Sequence, residues 1–312
     1  MSLAISQHRL IRVLAFSTVM IAIAYLINNF LIFGFGFPGV FEGGRLAILT
    51  YAIGLAVAVG LTLGRRAKDS LEVTSRELTQ CNQFMIRGCF WAILLVGMVD
   101  AAISFLYVEG WLPQILGTNL ADKLGSQDFR GAYLHLPVLI LGFLFATISR
   151  GLGFIWLVLL VFLAELLIVI GGTVYSYEQT FLSDLVRLWY AALFIFGAAN
   201  ALVTEGHVRV DVLFSKLSHE KKSLVNLWGS ILLGMPFAWA ILLAGTWTRG
   251  RVVNAPILNF EIGQEGGSGL YIKYLMAGFL LVLALSLILQ FGALILSSAN
   301  SHYLRAREEI VK

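Results

Sequence analysis

Hydrophobic residues in this chain come in long unbroken blocks, separated by short polar punctuation. Neither the alternation of half-buried strands nor the one-sided stripe of a soluble amphipathic helix is dominant. Eight blocks qualify as spans: Val13–Phe33, Leu46–Leu63, Gly88–Val108, Ala132–Ile148, Phe154–Val174, Leu188–Thr204, Leu224–Trp247 and Tyr271–Ser297. Each is close to the ~20 residues that cross the hydrocarbon layer of a bilayer. The fourth and fifth are divided at Ser149-Arg150-Gly151-Leu152-Gly153. One helix from Ala132 to Val174 would be about twice as long as the bilayer is thick, so a hairpin at the glycines is predicted.

The polar punctuation has its own patterns. Residues 68–87 place Leu71, Leu78 and Met85 at heptad spacing among Lys68, Asp69, Glu72, Arg76 and Glu77. That spacing predicts an amphipathic helix lying along the membrane surface. The segment Glu109–Gly131 carries Trp111, Leu112, Ile115 and Leu116, apolar enough to follow the interface. The segment Thr248–Leu270 mixes an apolar PILNF with Gly263, Gly266, Gly267 and Gly269. Its glycines predict a loop, and its apolar piece predicts a contact. The fold class expected is an all-α integral membrane protein with about eight transmembrane helices plus interfacial amphipathic helices.

Composition agrees: of 312 residues, 59% are hydrophobic and 13% charged, with mean hydropathy +0.85. The net charge of +4 is read as loop charge and not as a nucleic-acid surface. Of the 22 lysines and arginines, fifteen fall in segments on the side of the N-terminus and seven on the other. Positive residues collect on the cytoplasmic side, which predicts both termini inside. Cys81 and Cys89 form no CxxC and no set with histidine, so no metal site or disulfide framework is indicated. The first apolar block is too long for a signal-peptide core, and no small-residue cleavage site follows it.

Candidate chemistry is sparse. Gly34-Phe-Gly36-Phe-Pro-Gly39 matches the dinucleotide fingerprint but caps a membrane helix, where that motif needs a preceding strand. Asp100 and Glu165 sit inside the third and fifth blocks, and intramembrane carboxylates are costly. They read either as an ion path or as protonated or hydrogen-bonded structural groups. Neither has a basic partner within its own block, and the second reading is preferred. Asn28, Asn29, Asn200 and Gln290 read as interhelical hydrogen bonders. The five histidines, His8, His135, His207, His219 and His302, are scattered, and none pairs with a serine or cysteine at a recurrent spacing. No catalytic set, metal site, cofactor site or Walker lysine is predicted.

The run from Asp184 to Leu213, DLVRLWYAALFIFGAANALVTEGHVRVDVL, opens on a charged turn and ends in the polar cluster Glu205-Gly206-His207-Val208-Arg209-Val210-Asp211. It resembles the signature of the small permease subunit, DctQ-type, of tripartite ATP-independent periplasmic (TRAP) transporters. The matching positions are Asp184, Arg187, Phe196-Gly197-Ala198-Ala199, and Gly206, His207, Arg209 and Asp211, with Glu205 beside them. The resemblance covers about Phe154 to the end. It implies residues 1–131 as a membrane extension of about three spans, and a five-span part at 132–312 holding a four-helix core at about 154–297. It further implies a scaffold in the bacterial inner membrane, packed on a large subunit that carries Na+ and an organic acid delivered by a periplasmic binding protein. In that reading this chain is no enzyme. Arg249, Arg251, Glu261 and Glu265 are the charges available for docking the binding protein. Glu205–Asp211 is expected to pack at the interface of the two subunits. The alternative is an autonomous secondary transporter using Asp100 and Glu165.

Overall fold

The computed structural model describes residues 2–64, 70–150, 154–174, 180–204, 214–261 and 269–311, and among them there is no strand. α1 (Ser2–Phe35) and α2 (Arg45–Leu63) make a hairpin around a 3-10 turn at Val40–Glu42. Glu42 closes the turn by accepting the Gly39 N–H at 3.0 Å. α3 (Leu71–Val108) begins at Ser70, whose hydroxyl accepts the Val73 N–H at 3.2 Å and satisfies one orphan donor of the first turn. Three short helices follow: α4 (Leu112–Leu116), α5 (Thr118–Leu124) and α6 (Gln127–Phe129). A π-helical stretch, Arg130–His135, then runs into α7 (Leu136–Ile148). α8 (Phe154–Val174), α9 (Thr180–Thr204) and α10 (His219–Gly229) come next, and a second π stretch, Ser230–Gly234, joins α10 to α11 (Met235–Thr246). α12 (Asn254–Leu258) is little more than one turn, and α13 (Lys273–Val311) closes the chain.

All eight expected spans are present as helices long and apolar enough to cross a membrane, which makes this a multi-pass all-α membrane protein. α7 stops at Ile148, Ser149 is extended at ψ 126°, and α8 starts afresh at Phe154, so residues 132–174 are two spans. α1 continues to Phe35, so Gly34 lies within a helix and no strand precedes the glycine motif.

Two expectations need correction. Residues 71–87 are the first half of α3, which at 38 residues is about 57 Å long. A helix continuous with a span cannot also lie along the surface. The heptad side is covered by protein, with Leu71 0% and Leu78 6% exposed. Arg12 and Arg130, counted as loop charges, are both 2% exposed inside helical segments. One belongs to each side of the charge count, so the excess on the N-terminal side is unchanged.

Each π stretch is followed at once by proline at the second helical position, Pro137 in α7 and Pro236 in α11. Proline has no N–H to give and its ring clashes with the carbonyl four residues back. A widened turn just upstream removes that clash, which accounts for the position of both π stretches.

The chain divides into two compact units. One holds Met1–Gln83, Ala201–Thr248 and Ala284–Lys312, and the other Phe84–Asn200 and Arg249–Leu283. Both therefore mix residues from either side of position 131. In the first unit, neutral side chains join helices. Asn28 donates to the Ala47 carbonyl at 3.4 Å, Asn29 to that of Thr246 at 2.7 Å, and Asn82 to Ser286 O and Gln290 Oε1 at 3.1 and 3.4 Å. Asn28, Asn29 and Gln290 are thus the interhelical hydrogen bonders expected. The second unit is tied by charge.

Candidate functional site

The charged ties converge on Asp100, eight residues before the end of α3 and fully buried. Arg130 Nη1 donates to its Oδ1 at 3.1 Å and His135 Nε2 lies 3.0 Å from the same oxygen. The Tyr271 backbone N–H donates to Oδ2 at 3.1 Å. Arg130 and His135 are themselves 2% and 1% exposed. An ordinary α-helix would point residues five apart about 140° from each other. The i→i+5 bonding of the π stretch brings both to one side, and both reach one carboxylate.

Every member has further partners. Arg130 also donates through Nε to the Leu124 carbonyl at 2.8 Å and through Nη1 to Ser104 at 3.1 Å. Its guanidinium lies 4.2 Å from the ring centre of Tyr271, whose hydroxyl donates to Gly125 O at 2.5 Å. His135 Nδ1 meets the Tyr274 hydroxyl at 2.5 Å, and the two rings stack at 5.9 Å. Nε2–H donates to the Asp100 carboxylate, which faces the Arg130 guanidinium as a buried ion pair. Close by, Leu112, Ala121 and Leu124 form an apolar cluster with Ile103, Leu106 and Phe129, fixing the segment that supplies the Leu124 and Gly125 carbonyls.

A second carboxylate works in the same place. Asp184, 1% exposed at the start of α9, accepts the Leu270 N–H at 3.0 Å, and Arg187 reaches it at 3.5 Å. Adjacent amides, Leu270 and Tyr271, are therefore held by acids from two different helices immediately before α13. Phe260 also supports this end. Its φ of +46° is unusual for a bulky residue, and its ring occupies the space where Gly131 has no side chain. A Cβ on Gly131 would lie 2.7 Å from that ring, which also meets Tyr274 edge-on at 5.4 Å.

Asp100 has no basic partner within its own block, as expected, and its basic partners Arg130 and His135 come from the following span. Arg130 read as an outer loop charge and His135 as one scattered histidine. The signal available was their spacing of five just before Pro137, level with Asp100 on the preceding antiparallel helix. Glu165 joins no such group: it lies exposed on α8 with no partner among the described residues. The structure does not bring it to Asp100.

Among the motif residues, Asp184 is an internal anchor, Arg187 is half exposed, and Gly197 has no neighbouring atom within 4 Å of where a Cβ would stand. Glu205, Gly206, His207, Arg209 and Asp211 lie outside the described residues, as does Glu265. Arg249 and Arg251 are exposed, while Glu261 pairs with Lys273 at 2.5 Å. The apolar piece of the 248–270 segment finds its contact within the chain, with Val253, Asn254 and Pro256 buried. Among the described residues no group of three or more His, Cys, Asp or Glu is placed to hold a metal ion. The chain matches no protein-family profile, no curated protein and no solved structure.

Proposed function

We propose that this chain is the small membrane subunit of a TRAP-type secondary transporter in a bacterial inner membrane, with both termini in the cytoplasm. It scaffolds a large subunit that carries Na+ and an organic acid or similar solute delivered by a periplasmic binding protein, and it performs no catalysis itself. The observation that carries this reading is the sequence of α9, with Asp184 and Arg187 at its start and Phe196-Gly197-Ala198-Ala199 within it, followed by Gly206-His207-Val208-Arg209-Val210-Asp211. The saturation of Asp100 is consistent with it. A carboxylate that already holds three donors at 3.0 to 3.1 Å has little capacity left for a moving ion.

The rival reading is an autonomous transporter using Asp100 and Glu165, the two acids in membrane-spanning blocks. Tagged chain produced with and without its large subunit separates the two. Uptake by reconstituted vesicles should need both chains and the binding protein; uptake by this chain alone establishes the rival. Orientation is checked with single cysteines on a Cys81- and Cys89-free background. Those at Ser126 and Ser268 should react with an impermeant thiol reagent in the periplasm, and those at Ser2 and Ser218 should not.

A further inference from the structure

α8 is the least covered of the spans: 11% of its apolar window is buried, against 17% to 56% in the others. Most of its outward residues suit lipid, with Val158, Phe162, Leu166 and Val169 all exposed. Glu165 does not. It stands about 16 Å from the Phe154 end of the helix and about 14 Å from the Val174 end, the middle of a hydrocarbon layer ~30 Å thick. Its helical neighbours Val161, Phe162, Ile168 and Val169 offer no donor side chain. Protonation removes its charge but leaves a hydroxyl and a carbonyl with nothing to bond in hydrocarbon. The other two acids that this unit buries, Asp100 and Asp184, are both held from within the chain.

We propose that the Glu165 face of α8 is a contact surface for a transmembrane helix of another chain. That helix presents a cationic or hydrogen-bond-donating side chain at mid-bilayer depth. The donor answers the carboxyl, while Val158, Phe162 and Val169 pack around the pair and exclude lipid. A polar contact shielded in this way is the usual place for an ionisable group at mid-membrane. The inference rests on the assembly reading above for the identity of the partner, and on Glu165 alone for the place and chemistry of the contact.

The test puts a photo-crosslinking p-benzoylphenylalanine at Phe162, one turn from Glu165, in cells producing the chain from its own locus. A control carries it at Leu233, exposed on another span. Phe162 should yield one protein adduct whose crosslinked peptide, mapped by mass spectrometry, is a transmembrane segment with Lys, Arg, His, Asn or Gln within a turn. Leu233 should not yield that adduct. Glu165→Leu, better suited to lipid, should leave the amount of folded chain unchanged and lower adduct yield about threefold or more, and Glu165→Gln should lower it less. Adducts with lipid alone, adducts with a second copy of this chain alone, or an undiminished yield in Glu165→Leu overturn the proposal. A mapped partner that is not a large transport subunit upholds the contact and overturns the TRAP reading. Co-purification with the large subunit while Phe162 labels lipid alone upholds the TRAP reading and overturns the contact.

Discussion

Asp100 and Glu165 look alike in the sequence: each is an acid in a block that must cross lipid, without a basic residue in that block. The folded chain treats them in opposite ways. Asp100 is closed in by Arg130, His135 and the Tyr271 amide, while Glu165 is exposed on α8 with no partner among the described residues. An intramembrane acid thus marks unmet bonding capacity, and the neighbouring elements decide whether it is met inside the chain or by something else. In Asp100 the capacity holds the connecting segments around Arg130 and Tyr271 onto the span. In Glu165 it remains available.

The two environments predict opposite responses to removing the acid. Asp100→Ala strands the Arg130 guanidinium in a buried place, and losing one partner of such a pair costs about 3–5 kcal/mol. Survival of folded chain on heating in detergent should fall accordingly. Asp100→Leu combined with Arg130→Met should recover much of the loss, since a well-packed apolar pair tolerates burial. If the double variant is as unstable as the single, the ion pair does not explain the site.

A smaller loss is expected where α7 meets α3. A Cβ on Gly142 would lie 2.3 Å from the Ala92 Cα, a backbone atom that cannot swing aside. Gly142→Val should cost about 1–3 kcal/mol by overpacking and loosen the helix carrying Asp100 against the one carrying His135. Unchanged melting would mean the two helices are farther apart than this structure has them.

Glu165→Leu should move the stability of the isolated chain by about 0.5 kcal/mol or less, or raise it, the reverse of Asp100→Ala. A large loss would mean that Glu165 has a partner within the chain. The smallest change is expected at Glu261. Its pair with Lys273 is partly open to solvent, and such pairs contribute about 1 kcal/mol or less, so Glu261→Gln should leave melting nearly unchanged.

How far this was legible in the sequence depends on the range of the interaction concerned. The spans are set by local apolar runs, and all eight were readable, including the break at Ser149 that separates α7 from α8. Asn28, Asn29 and Gln290 were readable as hydrogen bonders because a buried amide in a span has little else to do. The continuity of α3 was missed because the polar residues from Glu72 to Arg87 suggested a separate surface element. They lie in the part of a 38-residue helix that exceeds the bilayer. The Asp100 group was missed because its members are 30, 35 and 171 positions away in the chain. The π stretch that aligns Arg130 with His135 leaves no trace in composition, and Pro137 was its one outward sign.

The central claim is that the charges of this chain hold its own fold and its partner, and that the chain works as a subunit. Native mass spectrometry of tagged chain, extracted by mild detergent from its own membrane at natural expression level, tests this most directly. The account predicts one copy bound to one copy of a larger multi-span membrane protein. A chain found alone, or in multiples of itself, that by itself drives solute uptake in vesicles would contradict it.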